Sequence, residues 1–263
     1  MIWFVGAGPG DPELITVRGR RLLEEADVVV YAGSLVPQAV LTWTRDGCEL
    51  HDSASMTLGE QVEVMTTAHA AGGAVVRLHT GDPSLYGAIG EQMRALRERG
   101  VDFAVVPGVS SFVAAAAALP AELTAPGVSQ TVIITRQPGR TPVPAGQEIA
   151  GLAVHGATMA IFLSAGDLSG TVVALREHYP ADTAAAIVQR ASWPEQLVLR
   201  GTLETIAAQA EAAGVDRTAM ILVGDALRGE GEASLLYDPD FTHGYRQAAE
   251  GREAREAGGR PPA

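Results

Sequence analysis

Glycine, proline, aspartate and serine recur in three short segments: "GAGPGD" (6–11), "HTGDPSLYG" (79–87) and "PGVSS" (107–111). Each directly follows an apolar run, "IWFV", "AVVRL" or "FAVV". In an open α/β sheet the carboxyl ends of the strands line the ligand crevice, so three such turns at one edge make a cleft built largely of backbone. The first turn resembles the dinucleotide fingerprint Gly-x-Gly-x-x-Gly, but Asp11 stands at its last position. Pro9 has no N–H to give a phosphate, and Asp11 at a helix entry repels one. The turn therefore suits a ligand that is cationic or zwitterionic nearby, or no ligand at all.

The other turns leave two readings open. Asp82 before Pro83 is either an Asx-turn former or a carboxylate facing a positive group. Gly81 lets the backbone pass close to a ligand. Ser110 and Ser111 are either helix-capping residues or hydroxyl donors to a ligand.

Other chemistries lack their residues. The six histidines form no HxxxH or HxH pair, so no metal site is expected. There is no Gly-x-Ser-x-Gly elbow and no phosphate-binding GxxxxGK[ST] loop. All 19 basic residues are arginine, which removes lysine Schiff-base chemistry. The single cysteine, Cys48, forms no intramolecular disulfide and fits a reducing compartment. A net charge of −12 disfavours nucleic acid and anionic membrane. The N-terminus reads as a strand and not a signal peptide, and no uncharged apolar run reaches membrane-span length, so a cytoplasmic protein is expected.

The elements that must position the three turns alternate. Strands are expected over 2–5, 27–32, near 49, over 74–79 and over 103–106. Helices are expected over 14–26, 36–44, 58–71 and 88–99, followed by an Ala-rich helix after "PGVSS". This βα series predicts a mainly parallel sheet with helices on both faces. Pro120, Pro126 and Gly127 then mark a linker. The second half restarts with strands over 131–136, 159–164, 185–190, 196–201 and 219–224, and helices over 168–178 and 203–213. Strands outnumber helices there, residues 192–195 read as a turn between neighbouring strands, and a mixed sheet is expected. The expected organisation is two α/β domains, 1–120 and 121–245, with a mobile tail over 246–263.

The segments "VGAGPGDPELITVRG", "ADVVVYAGSLV", "VVRLHTGDPSLYGAIGEQM", "VVPGVSSFVAAAAAL", "QTVIITR", "GRTPVP" and "ASWPEQ" occur in this order. Together, over residues 1 to about 245, they resemble the tetrapyrrole methyltransferase family, and the last two point to its branch acting at C11 of a corrin precursor. The resemblance implies two α/β domains with the active cleft between them, S-adenosylmethionine as cofactor, a tetrapyrrole substrate and a homodimer. Matched residue by residue, it places Pro9, Thr80, Gly81, Asp82, Leu85, Ser110 and Ser111 at the cofactor, joined from the second half by Leu163, Ala191 and Met220. Thr80 stands where relatives have the first glycine of a "GGD" element. Asp11 and Arg77 match residues of substrate handling and are the catalytic candidates, with Asp11 as a possible base. An aspartate that some relatives carry after the "VVVY" strand is replaced here by Ala32-Gly33-Ser34, so its role does not transfer.

Methyl transfer from a sulfonium needs alignment more than activation, and a substrate with several carboxylates needs arginines. Arg77, Arg136, Arg140 and Arg190 lie near expected strand ends. Outside the resemblance, a nicotinamide-dependent oxidoreductase on a broken fingerprint and a non-catalytic tetrapyrrole carrier remain alternatives.

Overall fold

A computed structural model describes residues 1–139 and 141–248. The first sheet holds β1 (Ile2–Gly6), β2 (Val28–Tyr31), β3 (Glu49–Asp52), β4 (Val75–His79) and β5 (Phe103–Val106) in the order β3-β2-β4-β1-β5, with every pairing parallel. The central strands are apolar on both sides because both faces are covered. Val29, Val76 and Leu78 enter one core with Leu22 and Leu23 of α1 (Val17–Glu24) and Val40 of α2 (Gln38–Leu41). Phe4, Val30 and Val75 enter the other with Met65 of α3 (Leu58–Ala70) and Leu96 of α4 (Ile89–Glu98).

The first helix begins later than expected. Asp11 caps a short 3-10 turn over Pro12–Leu14, Ile15 is extended, and the Thr16 hydroxyl then caps α1 by accepting from the Gly19 N–H at 3.1 Å. The Ala-rich helix α5 (Ser111–Ala118) follows β5.

The second sheet holds β6 (Val132–Arg136), β7 (Thr158–Phe162), β8 (Ala184–Gln189), β9 (Leu197–Thr202) and β10 (Ala219–Val223) in the order β6-β7-β10-β8-β9. It is mixed: β6 and β7 are parallel and the other neighbours antiparallel. Three helices complete it: the unforeseen α6 (Ile149–Ala153), α7 (Leu168–Leu175) and α8 (Ile206–Ala212). One face, with Met159, Ile161, Ile187 and Ile221, packs on Leu175 of α7 and Ile206 of α8. The opposite face is covered from the first half of the chain: Ala114, Ala115 and Leu119 lie against Ala160, Ala186, Val188, Met220 and Leu222. Small side chains on both sides let α5 approach the sheet closely, and Arg200 of β9 fixes its end by donating to the Leu119 carbonyl at 2.8 Å.

Of the expected tail, Arg246 pairs with His243 in an isolated bridge; residues beyond 248 lie outside the described ones.

Candidate active site

The three glycine turns meet. Gly8 and Gly81 exchange backbone hydrogen bonds of 3.3 and 2.8 Å, and both have positive φ (79° and 60°). A Cβ on Gly108 would sit 2.1 Å from the Gly81 carbonyl oxygen, and one on Gly6 would sit 2.6 Å from the Gly108 Cα. The glycines are therefore required by backbone crowding between turns. Asp82 ties the assembly: one carboxylate oxygen accepts from Ser84 N–H at 2.8 Å, the other from Gly108 N–H at 2.9 Å. Of its two readings, the turn former is the one these bonds favour.

Beside this cluster lies a cavity of about 440 Å³ between the two sheets. Its first wall contains Pro9, Thr80, Gly81, Asp82, Leu85, Ser110 and Ser111. Its second contains Leu163 after β7, Ala191 after β8 and Met220 of β10. The antiparallel pairing of β10 with β7 and β8 brings the ends of those two strands to the start of β10. All the cofactor-binding candidates thus line one cavity. Ser110 is buried and occupies the N-cap of α5, yet its side chain makes no capping bond.

The two catalytic candidates stand apart from the cavity wall. Arg77 is 5% exposed on the α3–α4 side of the first sheet, where it donates to Gln92 Oε1 at 3.1 Å, the Val30 carbonyl at 3.1 Å and the Leu78 carbonyl at 3.2 Å. Burial lowers its pKa to about 10, which leaves it protonated at neutral pH. Strand alternation places position 77 on the face packed against α3 and α4, so these bonds make Arg77 a brace of the first sheet. Asp11 is half-buried, its carboxylate accepts from Glu13 N–H at 2.8 Å, and its own N–H donates to Ser192 Oγ at 3.0 Å.

The other arginines divide similarly. Arg136 spends its guanidinium on the carbonyls of Gln137, Thr141 and Pro142, holding its own loop. Arg190 lines the cavity, half-exposed, 3.9 Å from Glu195. Arg140 lies outside the described residues.

Sequence reasoning did not single out several wall residues. Tyr86 packs on Phe162 with ring centroids 5.1 Å apart, and Phe112 lies 6.4 Å from the same ring. Burial pushes the Tyr86 phenol above its usual range, with Arg136 pulling the other way. Trp193 also lines the cavity, and only its place in "ASWPEQ" could have drawn notice to it. Tyr86, Leu163, Arg190 and Thr218 have φ of 56°, 53°, 49° and 52°, a left-handed backbone at the cavity that no sequence signal announces. Such strain concentrates at functional sites. Leu163 is 73% exposed, an apolar side chain offered to whatever fills the cleft.

This α/β fold, a parallel sheet whose glycine turns face a second, mixed sheet across an apolar cavity, is the fold of the methylases. The chain belongs to the tetrapyrrole (corrin/porphyrin) methylase family, whose model matches residues 1–207. Among its relatives, the cobalt-precorrin-4 C(11)-methyltransferase of Methanocaldococcus jannaschii is 50% identical over 246 residues, covering 93% of this chain and 95% of that one. The precorrin-4 C(11)-methyltransferase of Pseudomonas aeruginosa is likewise 50% identical over 246 residues, covering 93% and 98%. The X-ray structure of a cobalt precorrin-4 methyltransferase of cobalamin biosynthesis superposes with a TM-score of 0.84 at 45% identity, covering 86% of this chain and 95% of that one. A uroporphyrin-III C-methyltransferase from Thermus thermophilus, complexed with S-adenosyl homocysteine, superposes with a TM-score of 0.73 at 29% identity, covering 87% and 99%.

Proposed function

We propose that the protein is an S-adenosylmethionine-dependent methyltransferase that methylates precorrin-4 at C11, giving precorrin-5 in corrin biosynthesis. The observation that carries this reading is the convergence of Pro9, Thr80, Gly81, Leu85, Ser110, Ser111, Leu163, Ala191 and Met220 on one cavity.

The residues present fit the cofactor. The wall is mostly apolar and backbone, and the Ser110 side chain at that wall makes no capping bond. These residues would hold S-adenosylmethionine, which supplies a methyl group already activated on a sulfonium. The protein's own contribution is then geometric. Asp82 keeps the second and third turns in register. The apolar side chains of Leu85, Phe162, Leu163 and Met220 line the cavity and would shield bound ligands from water. Arg190 and Arg217, both at the cavity, are the arginines that would meet a substrate carboxylate. Alignment of this kind supplies much of the barrier reduction in a transfer with a preactivated donor.

The homodimer that the motif resemblance implies is the assembly proposed for this chain. Among the described residues no helix is long and apolar enough to cross a membrane, and a biosynthetic role fits the cytoplasm.

The test uses a donor with a ¹³C-labelled methyl group and NMR of the product. A label on C11 is expected; a label on any other ring carbon overturns the assignment. The Methanocaldococcus relative, as similar as the Pseudomonas one, favours cobalt-precorrin-4 as the second reading. Turnover of the metal-free and cobalt forms side by side separates the two. Calorimetry showing binding of NADH but not of S-adenosylhomocysteine would return the protein to the oxidoreductases.

A further inference from the structure

The turn between β8 and β9 reaches across the cavity and grips the first glycine turn. Trp193 Nε1 donates to the Pro9 carbonyl at 2.8 Å, and Ser192 Oγ accepts from Asp11 N–H at 3.0 Å. The ring occupies the space beside Gly10, where a Cβ would come within 2.0 Å of Trp193 Cδ1. Two non-glycine residues of this turn, Arg190 and Ser192, are left-handed (φ 49° and 67°). Their backbone is held by Trp193 N–H donating to the Arg190 carbonyl at 2.9 Å and by Ser192 N–H donating to Gln196 Oε1 at 2.8 Å. Pro9 and Trp193 are themselves part of the cavity wall.

We propose that Trp193 is a positioning residue for the methyl donor, clamping the Pro9 carbonyl and the first glycine turn in the orientation that the donor binds. The inference rests on the proposed use of S-adenosylmethionine. It accounts for a strained turn in which two bonds converge on the cavity wall, where a simple hairpin connection would need neither. It also assigns Gly10, which no phosphate contact explains: only a residue without a side chain leaves room for the indole.

The test is calorimetry of S-adenosylhomocysteine binding, with steady-state kinetics and an unfolding temperature for each variant. Trp193→Phe keeps the ring and removes the N–H; it is expected to weaken S-adenosylhomocysteine about 2- to 10-fold, the worth of one neutral hydrogen bond. KM for S-adenosylmethionine should rise by a similar factor while kcat stays near wild type. Gly10→Ala, which displaces the ring, should have at least as large an effect in the native background and almost none in a Trp193→Ala background. Wild-type affinity and KM in both Trp193→Phe and Gly10→Ala overturn the proposal and leave Trp193 as a contact of stability alone. Failure of the unmodified protein to bind S-adenosylhomocysteine overturns the donor reading itself, an outcome distinct from equal binding by protein and variants.

Discussion

Arg77 and His79 are neighbours on one face of β4, and both are buried without a carboxylate partner among their bonds. A catalytic arginine and a bracing arginine predict opposite results. Arg77→Met should cost on the order of 1–2 kcal/mol in chemical denaturation, because hydrogen bonds from a charged group are lost while a buried charge is also relieved. Turnover per folded molecule should fall by less than about threefold for a brace; a hundredfold loss at unchanged stability would support the substrate-handling role. His79 stacks on Phe4 and its Nε2 is buried with no hydrogen-bond partner among the described residues. Burial, then the Arg77 charge, lowers its pKa from 6.5 to about 3. The unfolded chain therefore binds one more proton than the fold between those values, so this contribution is complete above pH 6.5 and is lost as pH falls. It should take about 1 kcal/mol from the stability between about pH 6.5 and 5.5. Urea titrations of the wild type and His79→Gln check this: the variant should lack that part of the pH dependence.

Among the elements, α5 joins the two halves. Its sequence, "SFVAAAAA", reads as a helix, but nothing in its composition says which sheet it serves. The packing answers that: Ala114 and Ala115 sit on β8 and β10 of the second sheet, although the helix leaves from β5 of the first. Ala115 is fully buried and Ala117 exposed. Ala115→Leu should cost about 1–3 kcal/mol, since a close-packed helix–sheet contact has no room for three more carbons. Ala117→Leu, one residue pair away on the open side, should change stability by less than about 0.5 kcal/mol. Equal effects at the two positions in guanidinium denaturation would show that α5 is not packed as described.

At the scale of the molecule, the cavity is shared by both sheets, so a ligand that fills it bridges them. S-adenosylhomocysteine at about 100 times its dissociation constant should stabilise the native state by about 2.7 kcal/mol, read as a rise in unfolding temperature. NADH at the same concentration should produce no rise. Much of this architecture was legible beforehand. Strands such as "VVVY" and "AVVRL" are short, β-branched and apolar on both sides, a pattern set by local preference and by burial between helices. The missing N–H of Pro9 spoke against a phosphate-binding turn, and the motif resemblance located the cavity wall. Local chemistry stopped at positions whose meaning depends on direction or on a distant partner. Strand alternation, counted through the register of β4, sent Arg77 into the core. The Gly6–Gly81–Gly108 contact and the seat of Trp193 on Gly10 join residues tens to nearly two hundred positions apart, and four non-glycine residues of the cavity wall are left-handed without a sequence mark. Composition and periodicity set the strands and the glycine turns, and the resemblance of the motif segments pointed to the family; long-range packing alone set which of those residues face the cleft, because burial and backbone crowding are properties of neighbours the chain brings together only on folding.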